Sequence, residues 1–130
     1  MTRKEAREQA FILIFEKQFR DDSATEILEY AKEIRGIDVD EYTQRVFVGV
    51  TENINDIDFL ISTNLKNWKL ERLSKVALAV LRLAIYEIKY IDEVPVSVSI
   101  NEAVELCKKF AVKEDAAFVN GILGTVAKAE

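Results

Sequence analysis

The sequence predicts an all-α protein, on the basis of three observations. Serine or threonine is followed three positions later by glutamate at three places, the pattern of a capping box that starts a helix. Apolar residues recur with the period of a helix over most of the chain, and no segment alternates long enough to predict a strand. The 130 residues are 49% hydrophobic, which favours one domain over residues 1–130.

The helix starts are predicted in chain order from these patterns. The capping boxes are Thr2 with Glu5, Ser23 with Glu26, and Ser99 with Glu102. A fourth, long amphipathic helix is predicted from Asp38, because one apolar stripe continues from Tyr42 to Leu65 for about seven turns.

The segment "SKVALAVLRLAIYEIKY" is apolar on all sides except at Arg82, Glu87 and its end lysines. Such a helix is expected at the centre of the core. Breaks are predicted at Gly36, at "IDEVPVSVS" around the only proline, and at "KED" near Lys113. The part "VPVSVS" is interpreted as an extended connector.

The stretch "AFVNGIL" contains Asn120-Gly121, a pair that ordinarily predicts a hairpin turn. Apolar residues nevertheless continue at helical spacing through it, so a helix capped by Asp115 is predicted here. The residues on that face are Val119, Ile122, Leu123 and Val126. Glycine inside a helix costs about 1 kcal/mol, so Gly121 is expected to lie against another helix.

Composition excludes several classes of function. The chain has no histidine and one cysteine, Cys107, so it lacks an imidazole base and an internal disulfide. We find no metal cluster, phosphate loop or activated nucleophile, and predict no cofactor. No apolar run is long enough to span a membrane, and "MTRKEAREQA" lacks the apolar core of a signal peptide. A soluble, cytoplasmic protein without membrane attachment is expected.

A basic and then aromatic stripe is predicted along the first helix. Arg3, Lys4 and Arg7 share one side by their spacing, and that side continues into Phe11 and Phe15. Single-stranded RNA is held by cations on its phosphates and by rings on which bases stack. Solvated charges beside core phenylalanines explain the same pattern, and the residues alone leave both interpretations open.

Four motifs in order resemble the NusB family of bacterial transcription antitermination factors. They are "WKLERLS", "LRLAIYEI", "VPVSVSINEAVELCKKF" and "FVNGIL", and the resemblance covers nearly the whole chain. It implies a compact bundle of about six to seven helices in two packed subdomains. It also implies binding to boxA-like RNA of nascent transcripts with NusE, a small-subunit ribosomal protein, and indirect contact with the RNA polymerase elongation complex. No catalysis is implied.

The resemblance assigns roles to particular residues. The RNA-binding set is Arg3, Lys4, Arg7, Phe15, Phe110, Lys113, Phe118 and Asn120. The set for NusE is Glu71, Arg72 and Lys75, of which Glu71 and Lys75 are expected one helical turn apart.

The chain departs from the family pattern in its charge. Glu5 and Glu8 interrupt the basic start, Ala117 stands where many members have lysine, and the net charge is −5. Modest intrinsic RNA affinity is therefore expected.

The sequence also allows other interpretations of the function and of single residues. A helical protein–protein adaptor or homodimer with little RNA binding is the main one, and an enzyme is a distant third. Phe110 and Phe118 could each pack in the core instead of facing RNA, since Phe110 continues a stripe with Cys107. Glu71 and Lys75 could form a weak intrahelical pair.

Overall fold

A computed structural model describes residues 1–66 and 69–129. These residues contain seven α-helices and no strand, which confirms the all-α prediction. The helices are α1 (Arg3–Lys17), α2 (Ala24–Glu29), α3 (Glu41–Glu52), α4 (Ile54–Thr63), α5 (Lys75–Tyr90), α6 (Val96–Phe110) and α7 (Lys113–Ala129). A π-helical turn at Tyr30–Ile34 extends α2, and a 3₁₀ turn at Leu70–Arg72 precedes α5. Within the described ranges, none of the helices has the length and apolarity required to cross a bilayer.

Two of the predicted capping boxes start helices as expected. The backbone N–H of Glu5 donates to Thr2 Oγ1 over 3.1 Å, and the Thr2 N–H donates to the Glu5 carboxylate over 2.8 Å. Ser23 and Glu26 make the same reciprocal pair at α2. The predicted break at Gly36 is also confirmed, since its φ of 66° is in the left-handed region.

The long helix predicted from Asp38 is wrong, because the chain breaks at Asn53 between α3 and α4. Asn53 has φ −112° and ψ 20°, and its side-chain amide donates to the Gly49 carbonyl over 2.8 Å. Asparagine competes in this way with the backbone hydrogen bonds of a helix. The apolar stripe crosses the break because both helices bury it, with Ile57 and Ile61 of α4 fully buried.

The predicted extended connector "VPVSVS" is wrong as well. Helix α6 begins at Val96, directly after Pro95 at its N-cap. Proline is tolerated at the start of a helix, because the backbone N–H that it lacks would have no partner within the helix there. Ser99 therefore lies inside α6 and does not cap a helix with Glu102. Its hydroxyl instead donates to Glu87 over 3.1 Å.

The start of α7 differs slightly from the prediction. The helix begins at Lys113, so Asp115 lies in its first turn and does not cap it. Asp115 instead accepts a hydrogen bond of 2.9 Å from the hydroxyl of Ser74. Ser74 caps α5, and this contact joins the starts of the two helices. The helix runs through Asn120-Gly121 as predicted.

Helix α5 is the centre of the core, as its all-round apolar sequence predicts. Eleven of its 16 residues are buried, and α1, α3, α4, α6 and α7 pack against it. Helices α1 and α3 also pack on each other, as do α6 and α7. Helix α5 therefore packs against two groups of helices, α1 with α3 and α6 with α7, and contributes to the core of both.

A buried carboxylate connects these groups. Glu87 of α5 is fully buried and accepts hydrogen bonds from three side chains on three other helices. Arg7 Nε of α1 donates over 2.8 Å, Ser99 of α6 donates to the second oxygen, and the Tyr42 hydroxyl of α3 also donates.

A glycine permits the close approach of α3 and α5. A Cβ built on Gly49 would overlap the ring of Tyr86, a side chain that is only 8% exposed. Gly121 is different from the expectation, because it is exposed and, beyond its chain neighbours and the local backbone of α7, no described atom lies within 4 Å of a Cβ built there. The prediction that Gly121 is held against another helix is wrong.

These two glycines predict opposite effects of the same substitution. Gly49→Ala forces the Tyr86 ring to move and should lower the free energy of unfolding by about 1–3 kcal/mol. Gly121→Ala adds helix propensity without a clash and should raise it by about 0.5–1 kcal/mol. Urea denaturation of both variants checks this pair, and stabilisation by Gly49→Ala would contradict the packing role.

Candidate nucleic-acid interface

The first turn of α1 presents two cations at the surface. Arg3 and Lys4 are both exposed. The guanidinium carbon of Arg3 lies 3.9 Å from the ring centroid of Tyr42, a cation–π contact that orients it. Lys4 Nζ lies 3.2 Å from Glu102, and its side chain is 70% exposed. Both are accessible to a phosphate.

Arg7 does not belong to this exposed group. It is 4% exposed, and its guanidinium pairs with Glu87 and also, over 3.3 Å, with Glu102. Burial would lower the pKa of Arg7, but the charge and hydrogen bond of Glu87 raise it above its usual value. The prediction of Arg7 on an exposed face is wrong, because its side of α1 turns into the core, as the buried Phe11 shows.

Four phenylalanine rings form a row from the end of α6 across α1. Ring centroids are 5.1 Å apart between Phe110 and Phe11, 6.2 Å between Phe11 and Phe15, and 5.2 Å between Phe15 and Phe19. Phe11 is buried, whereas Phe110 is 39% and Phe19 61% exposed. Phe15 is partly buried between them. The row therefore offers exposed aromatic surface at both ends.

The sequence interpretation missed Phe19 and Lys109 at this surface. Phe19 follows Phe15 by four residues, the spacing that places side chains on one side of a helix. Lys109 Nζ lies 5.3 Å from the Phe110 ring centroid. Its position beside Phe110 in the sequence was an available signal.

Charged pairs cross from α1 to α6 between the first turn and the rings. Lys4 pairs with Glu102, and Lys109 pairs with Glu8 over 2.7 Å. We call these four residues the α1/α6 seam. Each of the two seam lysines therefore forms an ion pair with a carboxylate of the other helix.

The predicted residues of α7 lie on two sides of that helix. Lys113 and Asn120 line a groove between α6 and α7 of about 580 Å³, together with Lys108 and Ala117. A lysine in place of Ala117 would add a positive charge to this groove. Phe118 is partly buried against the core.

The residues expected to contact NusE are exposed but differ in arrangement from the prediction. Glu71 and Arg72 belong to the 3₁₀ turn, and extended backbone at Leu73, with φ −70° and ψ 148°, separates them from Lys75 at the start of α5. Glu71 and Lys75 are therefore not one helical turn apart. Lys75 Nζ lies 6.0 Å from the Phe19 ring centroid. Trp68, the first residue of the "WKLERLS" motif, lies outside the described residues.

The thiol of Cys107 and the acidic side chains are the remaining groups that could carry chemistry. Cys107 is buried, and this burial, with a smaller effect of Asp115, raises the pKa of its thiol to about 11. The thiol therefore stays protonated at neutral pH. In residues 1–66 and 69–129, no cluster of three or more acidic or cysteine side chains is placed to hold a metal ion.

Known proteins match the chain over nearly its full length. The NusB family model matches residues 4–128. A transcription antitermination protein NusB of Clostridium botulinum (strain Kyoto / Type A2) is 41% identical, with 95% of this chain and 98% of that protein covered.

Solved structures agree with the sequence comparison. NusB of T. maritima is 37% identical, with a TM-score of 0.87 and coverage of 98% of this chain and 92% of that one. A crystal structure of the antitermination factors NusB and NusE in complex with dsRNA contains a chain that is 27% identical, with a TM-score of 0.87 and coverage of 98% and 97%. The chain belongs to the NusB family of transcription antitermination proteins.

Proposed function

We propose that this protein binds boxA-type single-stranded RNA of nascent ribosomal transcripts together with NusE, and so promotes processive transcription in the cytoplasm. The whole chain acts as one RNA-binding domain, without a cofactor or catalysis, and reaches the RNA polymerase elongation complex indirectly. A relative of similar fold has been crystallised with NusE and dsRNA, which supports both partners.

One observation carries the RNA assignment: exposed cations and an exposed ring lie along the same two helices. Arg3 and Lys4 lie at the start of α1, and Lys109 lies beside Phe110 at the end of α6. The ion pairs of the seam connect these two ends. A single strand placed along the seam would meet cations for its phosphates and a ring for a base.

The proposed RNA contacts follow from this placement. Arg3 and Lys4 bind phosphates. Phe110 stacks on a base, with Phe11 directly behind it and Phe15 as a further contact one ring along the row. Further contacts come from α7, where Lys113 and Asn120 line the α6/α7 groove. Phe118 is proposed as a contact only through the part of its ring that is exposed. Arg7 is left out of the set because it is buried.

The exposed 3₁₀ turn and the start of α5 are proposed to bind NusE through Glu71, Arg72 and Lys75. The exposed ring of Phe19 beside Lys75 adds apolar surface to this region.

Phe19 and Phe110 together also favour the second candidate function, a protein-binding adaptor or homodimer, because exposed rings often mark protein contacts. RNA titration and sedimentation of the free protein separate the two candidates.

The double variant Arg3→Ala/Lys4→Ala should weaken RNA binding and leave stability nearly unchanged. Each lost phosphate contact should reduce the salt slope by about 0.7. Fluorescence anisotropy of labelled RNA over a salt series measures both effects.

Two controls sharpen this experiment. Lys32→Ala/Arg45→Ala removes the same charge from two exposed residues that line a different groove, and should bind RNA almost as the parent does. Adding Arg7→Ala should instead destabilise the fold by about 3–5 kcal/mol, since Glu87 is left buried without its cation. Equal binding by the parent and Arg3→Ala/Lys4→Ala would exclude the first turn of α1 from the site.

Phe110→Ala should cost about 1–3 kcal/mol of RNA binding energy if the ring stacks on a base. The loss of stability should be smaller than for Phe11→Ala, because Phe110 is 39% exposed and Phe11 only 3%. Anisotropy and thermal unfolding of the two variants provide the comparison. Unchanged RNA affinity for Phe110→Ala would assign that ring to packing alone.

Charge reversal by Glu71→Lys/Lys75→Glu should slow association with NusE and leave the helix content unchanged. Both side chains are exposed, and charges at the edge of an interface act mainly on the association rate. Stopped-flow mixing at low salt measures this rate. Lys32→Glu/Glu33→Lys, which reverses two other exposed charges and likewise leaves the net charge unchanged, is the control. A rate equal to that of the parent would remove both residues from the interface.

A further inference from the structure

The carboxylate of Glu102 is held in place by the core. One of its oxygens accepts a hydrogen bond of 3.3 Å from Arg7, whose side chain is 5% exposed. The other oxygen lies 3.2 Å from Nζ of Lys4. The Glu102 side chain is itself only 17% exposed. Because Glu102 is already ordered by Arg7, the pair with Lys4 requires the ordering of one side chain only.

We propose that Glu102 is a built-in competitor of RNA for Lys4, and that it lowers the affinity for any single-stranded RNA. This inference rests on the proposed function, because it takes Lys4 as a phosphate contact. When RNA binds, a phosphate oxygen replaces the Glu102 oxygen on Lys4 Nζ. Glu102 then keeps Arg7 as its partner, so its charge is not left without a cation.

The competition affects sequence-independent binding. A lysine on a phosphate carries no information on the base sequence, so Glu102 weakens the binding of correct and incorrect RNA by the same factor. Contacts to bases and to NusE then decide which RNA is retained. The exchange also makes the RNA affinity depend less steeply on salt. The phosphate releases a bound cation when Lys4 binds it, but the Glu102 carboxylate that Lys4 leaves attracts a cation from solution, so fewer cations are released in total.

Glu102→Gln is the informative variant, and Glu52→Gln is its matched control. Glutamine keeps an oxygen for Arg7 and removes the charge that holds Lys4. Glu52 is exposed at the end of α3 and lines the groove of Lys32 and Arg45, which contains no residue of the α1/α6 seam. Both variants change the net charge by one unit, so their difference isolates the contact with Lys4.

The measurement is anisotropy of a labelled boxA-type RNA and of a permuted RNA of the same composition, on the full chain, without NusE. Glu102→Gln should bind both RNAs about two- to fivefold more tightly than Glu52→Gln at low salt, with a steeper salt slope. Thermal unfolding confirms that all variants are folded under these conditions.

A double-mutant cycle with Lys4→Ala completes the test. The gain from Glu102→Gln should disappear when Lys4 is absent, because no cation is then released. Equal affinities of Glu102→Gln and Glu52→Gln, or a gain that persists with Lys4→Ala, would overturn the competition. If Lys4→Ala weakens the parent while Glu102→Gln brings no gain, only this inference fails. If Lys4→Ala leaves the parent unchanged, the proposed RNA contact fails with it.

Discussion

The arrangement of the helices depends on the buried carboxylate of Glu87. A charge without exposure to water requires partners, and removing one partner of such a pair typically costs about 3–5 kcal/mol. Its partners Arg7, Tyr42 and Ser99 come from α1, α3 and α6, so one residue of α5 sets the position of three helices. Burial, followed by the hydrogen bond and charge of Glu87, raises the pKa of Tyr42. The hydroxyl therefore remains protonated and able to donate throughout the physiological pH range.

The same network extends from the core to the proposed RNA contacts. The ring of Tyr42, held through its hydroxyl, supports the guanidinium of Arg3. Arg7 holds Glu102, which in turn holds Lys4. The two surface cations are thus positioned by groups that are themselves fixed in the core. Arg3 can keep its contact with the ring when a phosphate binds, so its positioning reduces the entropy lost on binding, which matters for a chain whose net charge of −5 disfavours RNA. Lys4 must instead exchange Glu102 for the phosphate.

The sequence predicted local features well and long-range ones poorly. The caps at Thr2 and Ser23 depend on residues three positions apart, and the central position of α5 depends on its own composition, so both could be predicted. The burial of Arg7 depends on its pairing with Glu87, 80 residues away. Ser99 likewise donates its hydroxyl hydrogen bond to Glu87 and does not cap a helix. The helical spacing of Arg7 from Arg3 and Lys4 is the same whether its side chain lies at the surface or in the core. Only the packing of α3 and α5 against that side, with Glu102 of α6, distinguishes the two.

Helix α6 divides the proposed RNA surface in two. One of its sides carries Glu102 and Lys109 toward α1, and another lines the groove that contains Lys113 and Asn120 of α7. A strand that used both regions would have to cross α6, whose end carries Phe110. The seam lysines are matched by carboxylates, and the groove has Ala117 where a lysine would add charge. Neither region alone offers many unpaired cations to a phosphate backbone, so tight binding requires both regions together with base contacts or a protein partner.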